Sequence, residues 1–131
     1  MTVIVTDAGF GPETWAFGFE NAENALDLTS DANPGEIAQL LDNIEMVRVD
    51  FPSSADGRGF TIARILRLAG YTGRLRAKGH VLADQYAMAR RCGFDEVEIN
   101  DALAARQPEE QWRARANWQD HNYQARLRGA A

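Results

Sequence analysis

Between Asp50 and Asp95 the chain alternates short apolar runs with glycine-punctuated helical stripes, and nothing else in it constrains the fold as strongly. Ile44 to Phe51 reads as a buried strand, with Val47, Val49 and Phe51 on one face and Ile44 and Met46 on the other. Pro52 ends it, and Ser53–Gly59 is a loop. Ile62, Ile65, Leu66 and Ala69 then recur at i, i+3, i+4 and i+7, the spacing of one core-facing helical stripe. Gly70 is placed to end that helix, and Gly73 leads into a short strand, Arg74–Ala77. Val81 to Cys92 reads as a second helix capped by Gly93, and Phe94–Ile99 returns as a strand. Cys92 falls on the apolar side of its helix and is expected in the core.

Strands alternating with helices of about a dozen residues imply parallel pairing through right-handed crossovers. The expected fold is α/β: a parallel βαβαβα unit, either partial-barrel-like or a small open sheet, with an N-terminal strand pair and a long C-terminal helix. At 131 residues the chain has room for one core, so residues 1–131 are expected to form one domain. Within it, residues 1–43 carry divergent N-terminal strands and a short helix, 44–99 the core, and 108–127 the last helix.

In residues 1–43, Thr2–Thr6 and Trp15–Phe19 alternate around a Gly9–Pro12 turn and are expected to pair as strands. Residues 20–35 read as an acidic loop. Asn33 is expected to cap, and Pro34 to begin, a short helix through Leu41. Pro108 followed by Glu109 and Glu110 is a favourable start for the C-terminal helix.

The net charge of −5 hides a partition along the chain. Residues 1–50 hold ten acids and one base, residues 51–80 six bases and one acid, and residues 81–131 eight acids and seven bases. The acidic total argues against nucleic acid or an anionic membrane as partner, while the basic middle could hold a small anion. One cysteine rules out an intrachain disulfide and a four-thiolate metal or iron–sulfur site. It also suits a reducing cytoplasm. No stretch resembles a signal peptide or a membrane span. No metal site and no cofactor are expected. The sheet edges such a fold leaves open suggest a homodimer.

Ligands of parallel α/β folds gather beyond the carboxyl ends of the strands. That rule selects the loops Asp50–Gly59, Lys78–Asp84 and Asn100–Asp101, and places Asp50, Asp56, Arg58, Lys78, His80, Asp84 and Gln85 around one rim. Gly57 and Gly59 bracket Arg58 just before a helix N-terminus, where free N–H groups and close backbone approach suit an anion. The plainer reading, which spacing alone favours, is that Asp56 caps the helix and Arg58 pairs with a neighbouring acid. Asp56–Gly59 matches neither a dinucleotide fingerprint nor a Walker loop. His80 could act as an acid or base, or merely hydrogen-bond at a helix start. Asp84 could serve Arg76 or His80, or be a first-turn acid, and Gln85 could orient a ligand or bridge to a loop.

Asp56-Gly57-Arg58-Gly59-Phe60-Thr61, Gly70-Tyr71, Leu75-Arg76-Ala77, Asp84-Gln85 and Arg91-Cys92-Gly93-Phe94-Asp95 together resemble a bacterial family of unknown function. The likeness covers about residues 44–99. Members of that family are described as probable oxidoreductases involved in sulfite reduction, because their genes lie beside sulfite reductase. The resemblance implies a place in sulfur assimilation. A sulfite reductase subunit needs siroheme and an iron–sulfur cluster, for which one cysteine does not suffice. The expected role is therefore a cytoplasmic accessory protein that binds a small oxyanion, or a sulfite-reducing partner enzyme, through Arg58, Arg76, Lys78 and His80. The alternative is a small enzyme on a partial-barrel scaffold, with His80 and Asp84 as acid and base.

Overall fold

The computed structural model describes residues 2–20 and 22–119. Six strands form one sheet: β1 (Thr2–Thr6), β2 (Gly9–Gly11), β3 (Ala25–Leu28), β4 (Met46–Phe51), β5 (Arg74–Gly79) and β6 (Glu96–Asn100). Their spatial order is β2-β1-β6-β5-β4-β3. The last four run parallel in chain order, and β1 closes antiparallel against β6. Between them lie α1 (Pro34–Ala38), α2 (Arg58–Leu68) and a 3₁₀ turn (Ala83–Gln85) running into α3 (Tyr86–Cys92), and after β6 come α4 (Asp101–Arg106) and α5 (Glu109–Arg113). Sequential strand order, with α1 packed against α2 and α2 against α3, puts these helices on one face. The order lacks the reversal of a doubly wound sheet. No helix among the described residues is long and apolar enough to cross a membrane.

Because side chains alternate along a strand, the sheet has two unlike faces. One carries Val5, Leu28, Val47, Val49, Phe51, Leu75, Ala77, Val97 and Ile99 and packs with Ile62, Ala63, Leu66, Tyr86, Ala89 and Cys92 of the helices. The other carries charge. Asp27, Arg48, Arg76 and Glu96 follow one another across four strands, and Asp50, Lys78 and Glu98 form the next row.

Several expectations hold. Asn33 caps α1, its side chain accepting from the Gly35 and Glu36 amides. Gly70 and Gly93 take the left-handed conformation, at φ +100° and +116°, that ends α2 and α3. Cys92 is buried.

Three expectations fail. β1 pairs with Gly9–Gly11 rather than with Trp15–Phe19, since Thr6 lies opposite Gly9 and only Asp7 and Ala8 remain to turn the hairpin. With that edge taken, the rings of Trp15, Phe17 and Phe19 pack on one another instead. Residues 20–35 are not wholly loop: Ala25–Leu28 forms the edge strand, its acid Asp27 lying opposite Arg48 on the charged face. Nor is the C-terminal helix long within the described residues. After α5 the amides of Arg115 and Ala116 bond three residues back, as in turns, and the part from residue 120 to 127 lies outside them. The intervening α4, begun where Asn100 accepts from the Leu103 amide at 2.8 Å, was not expected.

Candidate functional site

The carboxyl ends of β4, β5 and β6 do share a rim, and hydrogen bonds stitch their loops together. The His80 amide donates to the carbonyl of Phe51 at 2.9 Å. Gln85 accepts from the Leu82 amide through Oε1 and donates through Nε2 to the Ser54 carbonyl, each at 2.9 Å. Its role is the bridging one. Gln107, at the end of α4, accepts from the Ala83 amide at 2.7 Å. These contacts enclose a cavity of about 320 Å3 lined by Ser54, His80, Leu82, Leu103, Arg106 and Gln107. An imidazole, a guanidinium, a hydroxyl and an amide share its wall with two leucines. Among the described residues, no carboxylate lines it.

The remaining candidates are distributed elsewhere. Arg58 is clasped by Asp56, with Nε and Nη2 donating to its two oxygens at 3.0 and 2.8 Å and the Arg58 amide to one of them at 3.1 Å. Hydrogen bonds from Arg58 hold the Asp56 carboxyl far below the usual carboxylate range. Nη2 also donates to Ser30 Oγ at 2.9 Å. Arg58 thereby lines a second hollow, of about 330 Å3, with Ser30, Asp31, Ala32, Pro34, Thr61 and Ile62.

The two glycines beside it differ. Gly59 lies against Phe51, whose ring carbon is 2.4 Å from where a Cβ would stand, whereas a Cβ at Gly57 would meet nothing nearer than 4.0 Å. The requirement at Gly59 is close packing of helix on strand. Nothing crowds Gly57.

Arg76 is absent from the rim. Fully buried on the charged face of the sheet, it donates from Nε to Glu96 at 2.6 Å, from Nη1 to Glu98 at 2.8 Å, and from Nη1 and Nη2 to Glu13 at 2.6 Å. Lys78 and Asp50 are neighbours in register one row nearer the rim, and neither has an ion-pair partner among the described residues. Asp84 projects into solvent, 81% exposed, and pairs with Arg115 at 2.8 Å. Of the ten candidates, then, His80 lines the cavity, Gln85 braces it, and Asp84 lies outside its wall.

Arg106 and Gln107 were not anticipated. The signal was present in Asn100–Asp101, a good helix start, which would have carried a further turn of helix and its terminal arginine back to the rim. With only six residues and one buried apolar side chain, Leu103, that helix shows no readable stripe.

A six-stranded sheet with four parallel strands, helices on one face, charge on the other and a cavity at the strand ends with no carboxylate among its described lining residues defines a small mixed α/β protein. The chain belongs to the family described as Bacterial protein of unknown function (DUF934), whose model matches residues 25–131. No curated protein and no solved structure matches it.

Proposed function

We propose that this protein is an accessory protein of assimilatory sulfur metabolism that binds a small oxyanion, of the class of sulfite or sulfate, in the cavity lined by His80 and Arg106. The observation that carries the reading is the make-up of that wall: Arg106, His80 and Ser54, with no acid among its described lining residues. Arg106 has no carboxylate partner among the described residues, so its donors are available to a ligand. Guanidinium groups suit oxyanions because several N–H bonds lie in one plane. The sulfur context comes from the family resemblance alone. On this reading the protein works in the cytoplasm beside sulfite-reducing enzymes, and the open edge of β3 suits a homodimer.

The catalytic alternative, with His80 and Asp84 as acid and base, gains less from the geometry. Asp84 is engaged by Arg115 and is not on the cavity wall.

Thermal unfolding in sulfite, sulfate and phosphate, against chloride at equal ionic strength, tests the reading. A ligand at about 100 times its Kd stabilises the folded state by about 2.7 kcal/mol. An oxyanion shift that disappears in Arg106→Ala and persists in Arg58→Ala supports the assignment. Loss in Arg58→Ala alone would move the site to the second hollow. No shift with any oxyanion would sink it.

A further inference from the structure

The charged face of the sheet already holds a carboxylate that does not belong to it. Arg48, Arg74 and Arg76 face Asp27, Glu96 and Glu98, three guanidiniums against three carboxylates supplied by the strands themselves. Glu13 is a fourth, brought by residues 12–20, which contain neither helix nor strand. It meets Arg76 in a fork, Oε1 on Nη2 and Oε2 on Nη1, both at 2.6 Å. Such paired N–H bonds are the geometry by which arginine reads a carboxylate.

We propose that this fork is a carboxylate-binding site which Glu13 occupies in cis, so that residues 12–20 act as a strap a carboxylate ligand displaces. Three observations make the site independent of its present occupant. Arg76 is wholly buried, and Glu96 and Glu98 grip its Nε and Nη1, so the guanidinium plane stays set when Glu13 leaves. Glu13 itself is 42% exposed and reachable from solvent. The strap's other holds are also on the sheet's arginines: Thr14 accepts from Arg74, and the Phe19 ring lies 3.8 Å from the Arg48 guanidinium carbon. Its aromatic rings pack on each other and not into the main core, and Phe17 is 66% exposed. Lifting the strap therefore opens a walled site without unpacking the hydrophobic layer. This site is distinct from the cavity of His80 and Arg106.

Acetate is the probe, titrated against chloride at matched ionic strength into the full chain and into Glu13→Ala. In Glu13→Ala, acetate is expected to raise the unfolding midpoint saturably. In the unmodified chain it is expected to speed amide exchange in residues 12–20, at about tenfold higher concentration because it competes with a tethered carboxylate. Should Glu13→Ala not fold, Glu13→Gln serves in its place. Acetate acting no differently from chloride on the variant, or leaving strap exchange unchanged in the unmodified chain, overturns the proposal and leaves Glu13 as a structural clasp.

Discussion

Nε and Nη2 of Arg67 both donate to the carbonyl oxygen of Gly93, at 3.0 and 2.9 Å, joining the end of one βα unit to the turn of the next. From the same guanidinium, Nη1 reaches the carbonyls of Tyr71 and Gly73 at 3.0 and 2.7 Å, and Nη2 pairs with Asp95 at 3.0 Å. One side chain thus satisfies three backbone acceptors where two helices end. Arg67→Ala is expected to lower stability by about 2 kcal/mol, since partly buried carbonyls lose charge-assisted donors. Arg67→Lys is expected to recover less than half of that, because an ammonium cannot span the same set. Urea unfolding of the three proteins measures both.

The glycines around Arg58 give a paired prediction. Gly59→Ala drives a methyl into the Phe51 ring and is expected to cost about 1–3 kcal/mol, as overpacking does. Gly57→Ala, where nothing crowds a Cβ, is expected to stay within about 0.5 kcal/mol of the parent. Equal losses at the two positions would show that the loop needs glycine for a reason other than packing.

Removing Arg76 is expected to be severe. Arg76→Met leaves Glu96 and Glu98 buried beside only Arg74 and Arg48, and breaking a buried pair costs about 3–5 kcal/mol. Chemical denaturation at pH 7 reads the effect, and a loss of less than about 1 kcal/mol would contradict it.

Acid sensitivity follows from the paired carboxyls. Hydrogen bonds from Arg76 pull Glu13 below its ordinary value of 4.5. Asp7 is also pulled down: burial opposes this, and bonds from Tyr86, Trp118 and Arg90 outweigh it. A carboxyl whose folded-state pKa is depressed contributes stability that is fully present above its unfolded pKa and is lost as pH falls through the folded one. The protein should therefore be insensitive to pH from 7 to about 5 through these groups and weaken progressively below about 4.5. Glu13→Gln should make that decline shallower, as thermal midpoints from pH 6 to pH 3 would show.

The strands β4 to β6 and helices α2 and α3 were legible because each repeats one period long enough to count. Gly70 and Gly93, by their place after the apolar stripes, marked the helix ends. β3 escaped notice because four residues in an acidic stretch carry too little pattern, and α4 because it buries only Leu103. The candidate site was legible as a place more than as a set of residues. His80 could be assigned to the rim from strand order, while Arg106 reaches the same cavity only through a short helix that periodicity does not reveal.

Composition and periodicity by themselves determined a parallel α/β chain with one apolar core, because alternation and the i, i+3, i+4 stripe are properties of consecutive residues. Which charges meet was decided only by the tertiary structure. Arg58 and Arg76 read alike in sequence, yet register lays Arg76 between Glu96 and Glu98 while Arg58 folds back on Asp56. Pairing of ions depends on distances between strands and loops far apart in the chain, and those distances exist only once the sheet has formed.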